Sequence, residues 1–212
     1  MGVPIIIRAA RLAAAALGIA AMVTALVQGH GTVANFFSFF TIEANILTAA
    51  VFLGGAVLTT CPRGWPYFRG AVTLYMVITG IVYAVLLSNV DVQLQSAWTN
   101  AVLHRILPLL LLADWVFFPP WARIPAVKAL GWLAFPLAYF AYSLLRGPFA
   151  HFYPYPFLNA RVHGYLYVFV YAIVLTPIMA LLALAVWRIG AQRLKSAAGQ
   201  DDVERRVRPR TG

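Results

Sequence analysis

Residues 164–187, GYLYVFVYAIVLTPIMALLALAVW, carry no charged side chain. A helix crossing a bilayer needs about 20 predominantly apolar residues, and this run supplies them without interruption. Five further stretches meet the same criterion, from Arg8 to Gln28, Phe36 to Thr59, Arg69 to Leu87, Trp98 to Phe118 and Val127 to Leu145. The intervening segments are short and rich in turn formers or charge, such as Cys61-Pro62-Arg63-Gly64-Trp65-Pro66 and Pro119-Pro120-Trp121. Composition agrees with six spans. The chain is 62% hydrophobic, only 10% charged, and has a mean hydropathy of +0.81. A water-facing domain carries roughly 25% charged residues. The predicted fold class is all-α, a polytopic membrane protein of six transmembrane helices in the cell membrane.

The formal charge of +10 does not point to nucleic acid. A nucleic-acid binder gathers Lys and Arg on one face or along one helix, whereas here they punctuate the gaps between apolar runs. That punctuation sets the orientation, because basic residues collect on the cytoplasmic side. With the N-terminus inside, 13 Lys and Arg fall in inner segments and 3, Arg105, Arg146 and Arg161, in the outer half. Both termini are therefore expected inside. Residues 1–190 form the transmembrane domain, and 191–212 a mixed-charge cytoplasmic tail, expected to be disordered or to lie on the inner leaflet. The first span has no small-residue cleavage site and reads as an uncleaved helix. Ile6 stands where a myristoylation signal needs Ser or Thr. Cys61 is the single cysteine, so no intrachain disulfide forms.

Ionisable and strongly polar side chains inside spans are costly and tend to mark function. They fall here in helix two (Thr41, Glu43, Asn45) and helix four (Asn100, His104, Arg105), with Asp114 near the inner end of helix four. Thr41 and Asn45 share a helical face by their i, i+4 spacing, as do Asn100 and His104. Both helices run from outside to inside. Thr41 and His104 then lie at one level, roughly 8–9 Å below the outer boundary at 1.5 Å rise per residue. Pro108 cannot donate to the His104 carbonyl, so a kink is expected there. Other readings compete with a catalytic one. Asn45 and Asn100 suit interhelical hydrogen bonding, Glu43 and Arg105 can form an ion pair, and Asp114 reads as interfacial. Four histidines, His30, His104, His151 and His163, fall on the outer side with Asp91 nearby. Their spacings match no zinc motif, and no metal or other cofactor is expected.

The segments Phe39-Phe40-Thr41-Ile42-Glu43-Ala44-Asn45, Asn100 to His104 followed by Leu107-Pro108, Asp114-Trp115 with Pro119-Pro120, and Tyr153-Pro154-Tyr155-Pro156-Phe157-Leu158-Asn159 resemble the bacterial Pr-six-Pr membrane proteins. More distantly they are similar to the eukaryotic androgen-induced membrane proteins, six-helix hydrolases of fatty acid esters of hydroxy fatty acids. The resemblance covers the chain apart from its tail. It implies an intramembrane threonine nucleophile matching Thr41 and a histidine matching His104. Arg105 stands where the eukaryotic family has a small polar residue, and the histidine-to-proline interval is one residue shorter here. The expected function is lipid-ester hydrolysis in the outer-leaflet half. Asn45, Asn100, Arg105, Glu43 and Tyr155 are candidates for binding substrate or oxyanion, and the partners are membrane lipids or an amphipathic fatty-acid ester. The alternative is a non-enzymatic lipid-binding, assembly or transport protein.

Overall fold

The computed structural model describes residues 3–29, 31–58, 60, 62–88 and 96–207, with side chains through residue 194. His30, Cys61 and Asp91 lie outside the described residues, as does the end of the tail, 208–212. The structure is all-helical, 84% helix, with no strand among the described residues. Six helices are long and apolar enough to cross a membrane: α1 Ile5–Gln28, α2 Phe40–Val57, α3 Trp65–Leu87, α4 Ala97–Phe117, α5 Ala126–Ala150 and α6 Ala160–Leu194. The last of these belongs to a helix that continues to Val207. This architecture is compatible with a multi-pass membrane protein.

The helices alternate in direction and define two poles. Arg8 and Arg11 of α1 reach the carbonyls of Ala56 and Gly55 at the end of α2. Trp187 of α6 donates to the Ile124 carbonyl before α5. These residues mark an arginine pole. The opposite pole gathers the start of α2, the end of α3, the start of α4 and the α5–α6 loop. Helices α1 to α4 pack closely, with α3 the most buried, while α5 and α6 lean against α3.

The arginine pole is held by charge. Asp114 of α4 accepts from Arg11 Nε at 2.7 Å and from Arg69 at 2.7 Å, which ties α1, α3 and α4 together. The carboxylate is 8% exposed, so the protein itself encloses it near the C-terminal end of α4. Two guanidinium groups and the rings of Phe118 and Trp115 enclose it. Glu43 and Arg105 form no ion pair with each other; the ion pairs among the described residues are the two on Asp114.

Two span boundaries differ from the sequence reading in ways that matter. Helix two does not begin at Phe36. A short turn, Val33–Phe36, is capped by Thr32, and the chain leaves the helix before α2 starts at Phe40. The break is sustained by side chains: Ser38 Oγ donates to the Asn35 carbonyl, and Tyr139 donates to the Ser38 carbonyl. Helix six carries Pro177 without interruption, but Gly164 is non-helical at φ 80°, ψ 160°. That conformation is open to glycine alone, and it separates the first turn of α6 from the rest.

Replacing Asp114 with Ala leaves two buried guanidinium groups without a counter-ion, and is expected to cost about 3–5 kcal/mol of stability. The triple change Arg11→Met, Arg69→Met, Asp114→Leu should recover most of that loss. Thermal unfolding in detergent measures both, and a triple variant as unstable as the single one contradicts the assignment.

Candidate functional site

Three threonines inside the spans show what a hydroxyl does in an apolar helix. Thr48, Thr73 and Thr79 each donate to the carbonyl four residues back, at 2.8, 2.8 and 2.9 Å. This local bond satisfies the hydroxyl at no cost in tertiary contacts. Thr99, in the first turn of α4, donates instead to the Ser96 carbonyl three residues back, at 2.7 Å. Thr41 makes neither bond. It sits in the first turn of α2, and residue 37, which would supply the carbonyl, lies in the break before the helix. Its hydroxyl is therefore free to look outward, and it meets two partners. His104 Nε2 lies 3.1 Å from Thr41 Oγ1, and the Tyr155 hydroxyl 3.2 Å from it.

The polarity of these bonds follows from the partners. His104 Nδ1 is 3.3 Å from the Asn100 carbonyl oxygen, which only accepts, so the proton is assigned to Nδ1. Nε2 is then an acceptor, and Thr41 donates its hydroxyl proton to it. Tyr155 in turn donates to Thr41 Oγ1, while its own oxygen accepts the Thr41 backbone N–H at 3.2 Å. Tyr155 thus caps the first turn of α2, whose N-cap residue Phe39 offers no side-chain bond. Burial pushes the Tyr155 phenol up to about 12, so it remains a proton donor across the physiological range.

His104 owes its placement to a distorted helix. Pro108 lacks the N–H that the His104 carbonyl would bind, and residues Val102–Ile106 relax into a π-helical turn closed by Leu107 N–H on the Val102 carbonyl. The sequence predicts a kink here, and the chain takes this wider turn. Such single π turns recur at functional sites. A second π-helical turn, Tyr83–Leu87, lies in α3, and the two meet. The Tyr83 ring stacks on the His104 imidazole with centroids 4.4 Å apart and planes 24° apart. Asn100 closes the group, because its amide donates to the Tyr83 hydroxyl at 2.8 Å while its carbonyl receives His104.

The remaining residues singled out in the sequence are placed as follows. Asn45 spends its amide on the carbonyls of Thr41 and Leu103, bridging α2 to α4. Arg105 is exposed, with its guanidinium over the Tyr83 ring at 5.5 Å. Glu43 is half-buried on α2 and belongs to neither group. Tyr155 is 6% exposed and wedged edge-on to Phe39, with Phe157 stacked on its other side at 5.4 Å. Tyr155 itself is extended, at φ −131° and ψ 144°, as a residue before proline tends to be, and Pro156–Leu158 then forms a 3₁₀ turn. Among the described residues no three His, Cys, Asp or Glu side chains gather as a metal site. Sequence reasoning missed Tyr83, since a tyrosine near the end of a span reads as part of an interfacial belt. A cavity of about 400 Å³ opens beside Thr41 and Tyr155, between α3, α5 and α6, with an almost wholly apolar wall.

Comparisons with protein-family models, curated proteins and solved structures return no match for this chain.

The stack should shield His104. Tyr83→Phe keeps the ring and removes one hydrogen bond, at about 0.5–1.5 kcal/mol. Tyr83→Ala removes the ring, at about 3–5 kcal/mol, and should speed modification of His104 by diethyl pyrocarbonate, read by mass spectrometry. An unchanged rate in the alanine variant would show that Tyr83 does not cover the imidazole.

Proposed function

We propose that this protein is an intramembrane lipid-ester hydrolase in which Thr41 is the nucleophile and His104 the general base. The observation that carries the proposal is the 3.1 Å contact between Thr41 Oγ1 and His104 Nε2, with the far ring nitrogen anchored on the Asn100 carbonyl. A threonine hydroxyl is a weak nucleophile until a base takes its proton. Thr41 Oγ1 attacks the ester carbonyl as its proton passes to Nε2, and the resulting imidazolium returns that proton to the departing alkoxide. Water, activated by the same nitrogen, then releases the acyl group from Thr41. A tetrahedral oxyanion needs donors in place beforehand. Tyr155 O–H and Thr41 N–H are the donors nearest the attacking oxygen. Asn45 and Asn100 bond the Thr41 and Leu103 carbonyls and the Tyr83 hydroxyl, and neither amide is hydrogen-bonded to Thr41 Oγ1. The exposed Arg105 can hold the carboxylate of an amphipathic acid near the same pole.

Orientation follows from charge. The arginine pole faces the cytoplasm by the positive-inside tendency, with both termini inside. The Thr41 pole then occupies the outer-leaflet half of the cell membrane. A lipid ester reaches it with its tails in hydrocarbon, so membrane lipids or a fatty-acid ester are the partners.

A non-enzymatic lipid-binding role is the second reading. It is favoured by Tyr155 already filling the space around Thr41 at hydrogen-bond distance. Hydrolysis of a panel of lipid esters by purified protein separates the two. Thr41→Ala and His104→Ala should each lower the rate by about 10²–10⁴-fold, the usual contribution of a positioned base, and Thr41→Ser should retain activity. Wild-type protein inert across the panel, or activity indifferent to both alanine changes, would leave the binding role.

A further inference from the structure

The cavity beside Thr41 has the dimensions of one lipid tail. Its wall on α3 runs from Ile78 to Leu87 and on α6 from Tyr171 to Leu182. At 1.5 Å per residue these walls are about 14 and 16 Å long. A bilayer's hydrocarbon core is about 30 Å thick, so one leaflet is about 15 Å deep. The volume of about 400 Å³ lies near the lower end of small-molecule sites.

The rim shows where a ligand enters. Ile81 and Val85 of α3, Leu137 of α5, and Val174 and Ile178 of α6 all line the cavity and are all exposed, Val85 to 72%. These are faces a bilayer covers. On the other side the α5–α6 loop closes the cavity, with Leu158 1% exposed and Phe157 stacked between Tyr155 and Tyr171. Two wall hydroxyls, on Thr79 and Tyr139, are tied to backbone carbonyls. Thr41 and Tyr155 lie together at one end of a slot whose wall is almost wholly apolar, with Tyr171 and Thr176 the further hydroxyl-bearing residues on α6.

We infer that this cavity seats a single hydrocarbon chain that enters sideways from the bilayer and brings its carbonyl to Thr41. The ligand class is a single-chain fatty acyl group with a small neutral or weakly polar attachment. Thr41 is 4% exposed and its hydroxyl meets only the neutral His104 and Tyr155, so a phosphate headgroup placed in contact with it would lose its water with no charged partner at hydrogen-bond distance. Leaving lipid for an apolar slot yields no hydrophobic gain. Binding therefore depends on close packing along the slot and on the polar contacts at its end, which makes fit the basis of selection.

The placement of the carbonyl rests on the hydrolase reading; the seat of the chain does not. The full chain in nanodiscs is labelled with palmitamide bearing a mid-chain diazirine, a neutral acyl probe, in wild type and in Thr41→Ala, and the adducts are mapped by mass spectrometry. Adducts concentrated at 78–87, 136–140 and 171–182 in both proteins are expected. Ala172→Trp, which fills the slot, should abolish them, while Leu166→Trp on the exposed face of α6 should not. Adducts spread evenly over the exposed faces of α1 and α6 overturn the inference, whether or not Ala172→Trp folds. Ester hydrolysis measured on the same wild-type sample keeps the two ideas apart. Slot adducts without hydrolysis remove the hydrolase and leave the site, and hydrolysis with adducts elsewhere removes the site alone.

Discussion

Backbone groups surrounded by hydrocarbon have no water to bind, and around Thr41 the departures from the α-helix come with a replacement for the lost partner. Ahead of α2, Ser38 and Tyr139 take up the carbonyls of Asn35 and Ser38. At the start of α2, Tyr155 takes the Thr41 N–H. In α4, the turn widened by Pro108 recovers a bond from Leu107 to Val102. Each repair brings a polar side chain into the same small volume. The polar cluster around Thr41 is therefore inseparable from the irregularities of the helices that carry it. Straighten α2 or α4, and the cluster loses both its geometry and its reason to be satisfied.

The two poles solve opposite problems. At the arginine pole, charge is enclosed and neutralised in place: one carboxylate receives two guanidinium groups, and backbone carbonyls take further N–H donors. That arrangement locks α1, α3 and α4 in register. At the Thr41 pole no buried charge is paired. Around Thr41 and His104 the contacts are neutral hydrogen bonds of 2.8–3.3 Å, with the Tyr83 ring stacked on the imidazole. A neutral network can pass a proton along its length without first breaking an ion pair. Rigidity at one end and proton mobility at the other is a division that suits chemistry held by a packed scaffold.

The six spans and the shared level of Thr41 and His104 were legible in the sequence, because apolar run length and helical rise are strong regularities. Three things were not. The pairing of Asp114 was hidden, since its two partners stand 103 and 45 residues away, and no periodicity links them. The start of α2 was placed at Phe36 because Phe36 to Phe40 is apolar enough to extend the run, and the competing capping of Thr32 and Ser38 is a short-range polar effect that hydropathy ignores. Tyr83 was hidden by its type. Aromatic residues near span ends are common, and only the meeting of two π-helical turns gives this one a specific partner. Tyr155 was marked by its motif, yet its role as the cap of α2 depends on a contact across 114 residues.

The threonines themselves argue for the site. Purely structural threonines in these spans satisfy their hydroxyls within their own helix, and Thr48, Thr73 and Thr79 do so. Thr99 finds the Ser96 carbonyl from the first turn of α4, whereas at Thr41 the carbonyl three residues back, on Ser38, receives Tyr139, and the hydroxyl meets partners on α4 and in the α5–α6 loop. Three separate elements must then be ordered to serve one hydroxyl, at a conformational cost that packing alone does not require. The orientation of the bonds adds to this. General-base action needs a free lone pair on the nitrogen facing the nucleophile. Here the Asn100 carbonyl fixes the proton on the far side, and Nε2 faces Thr41 with its lone pair. An expensive placement combined with the one productive tautomer is what supports a chemical role for Thr41 over a role in packing.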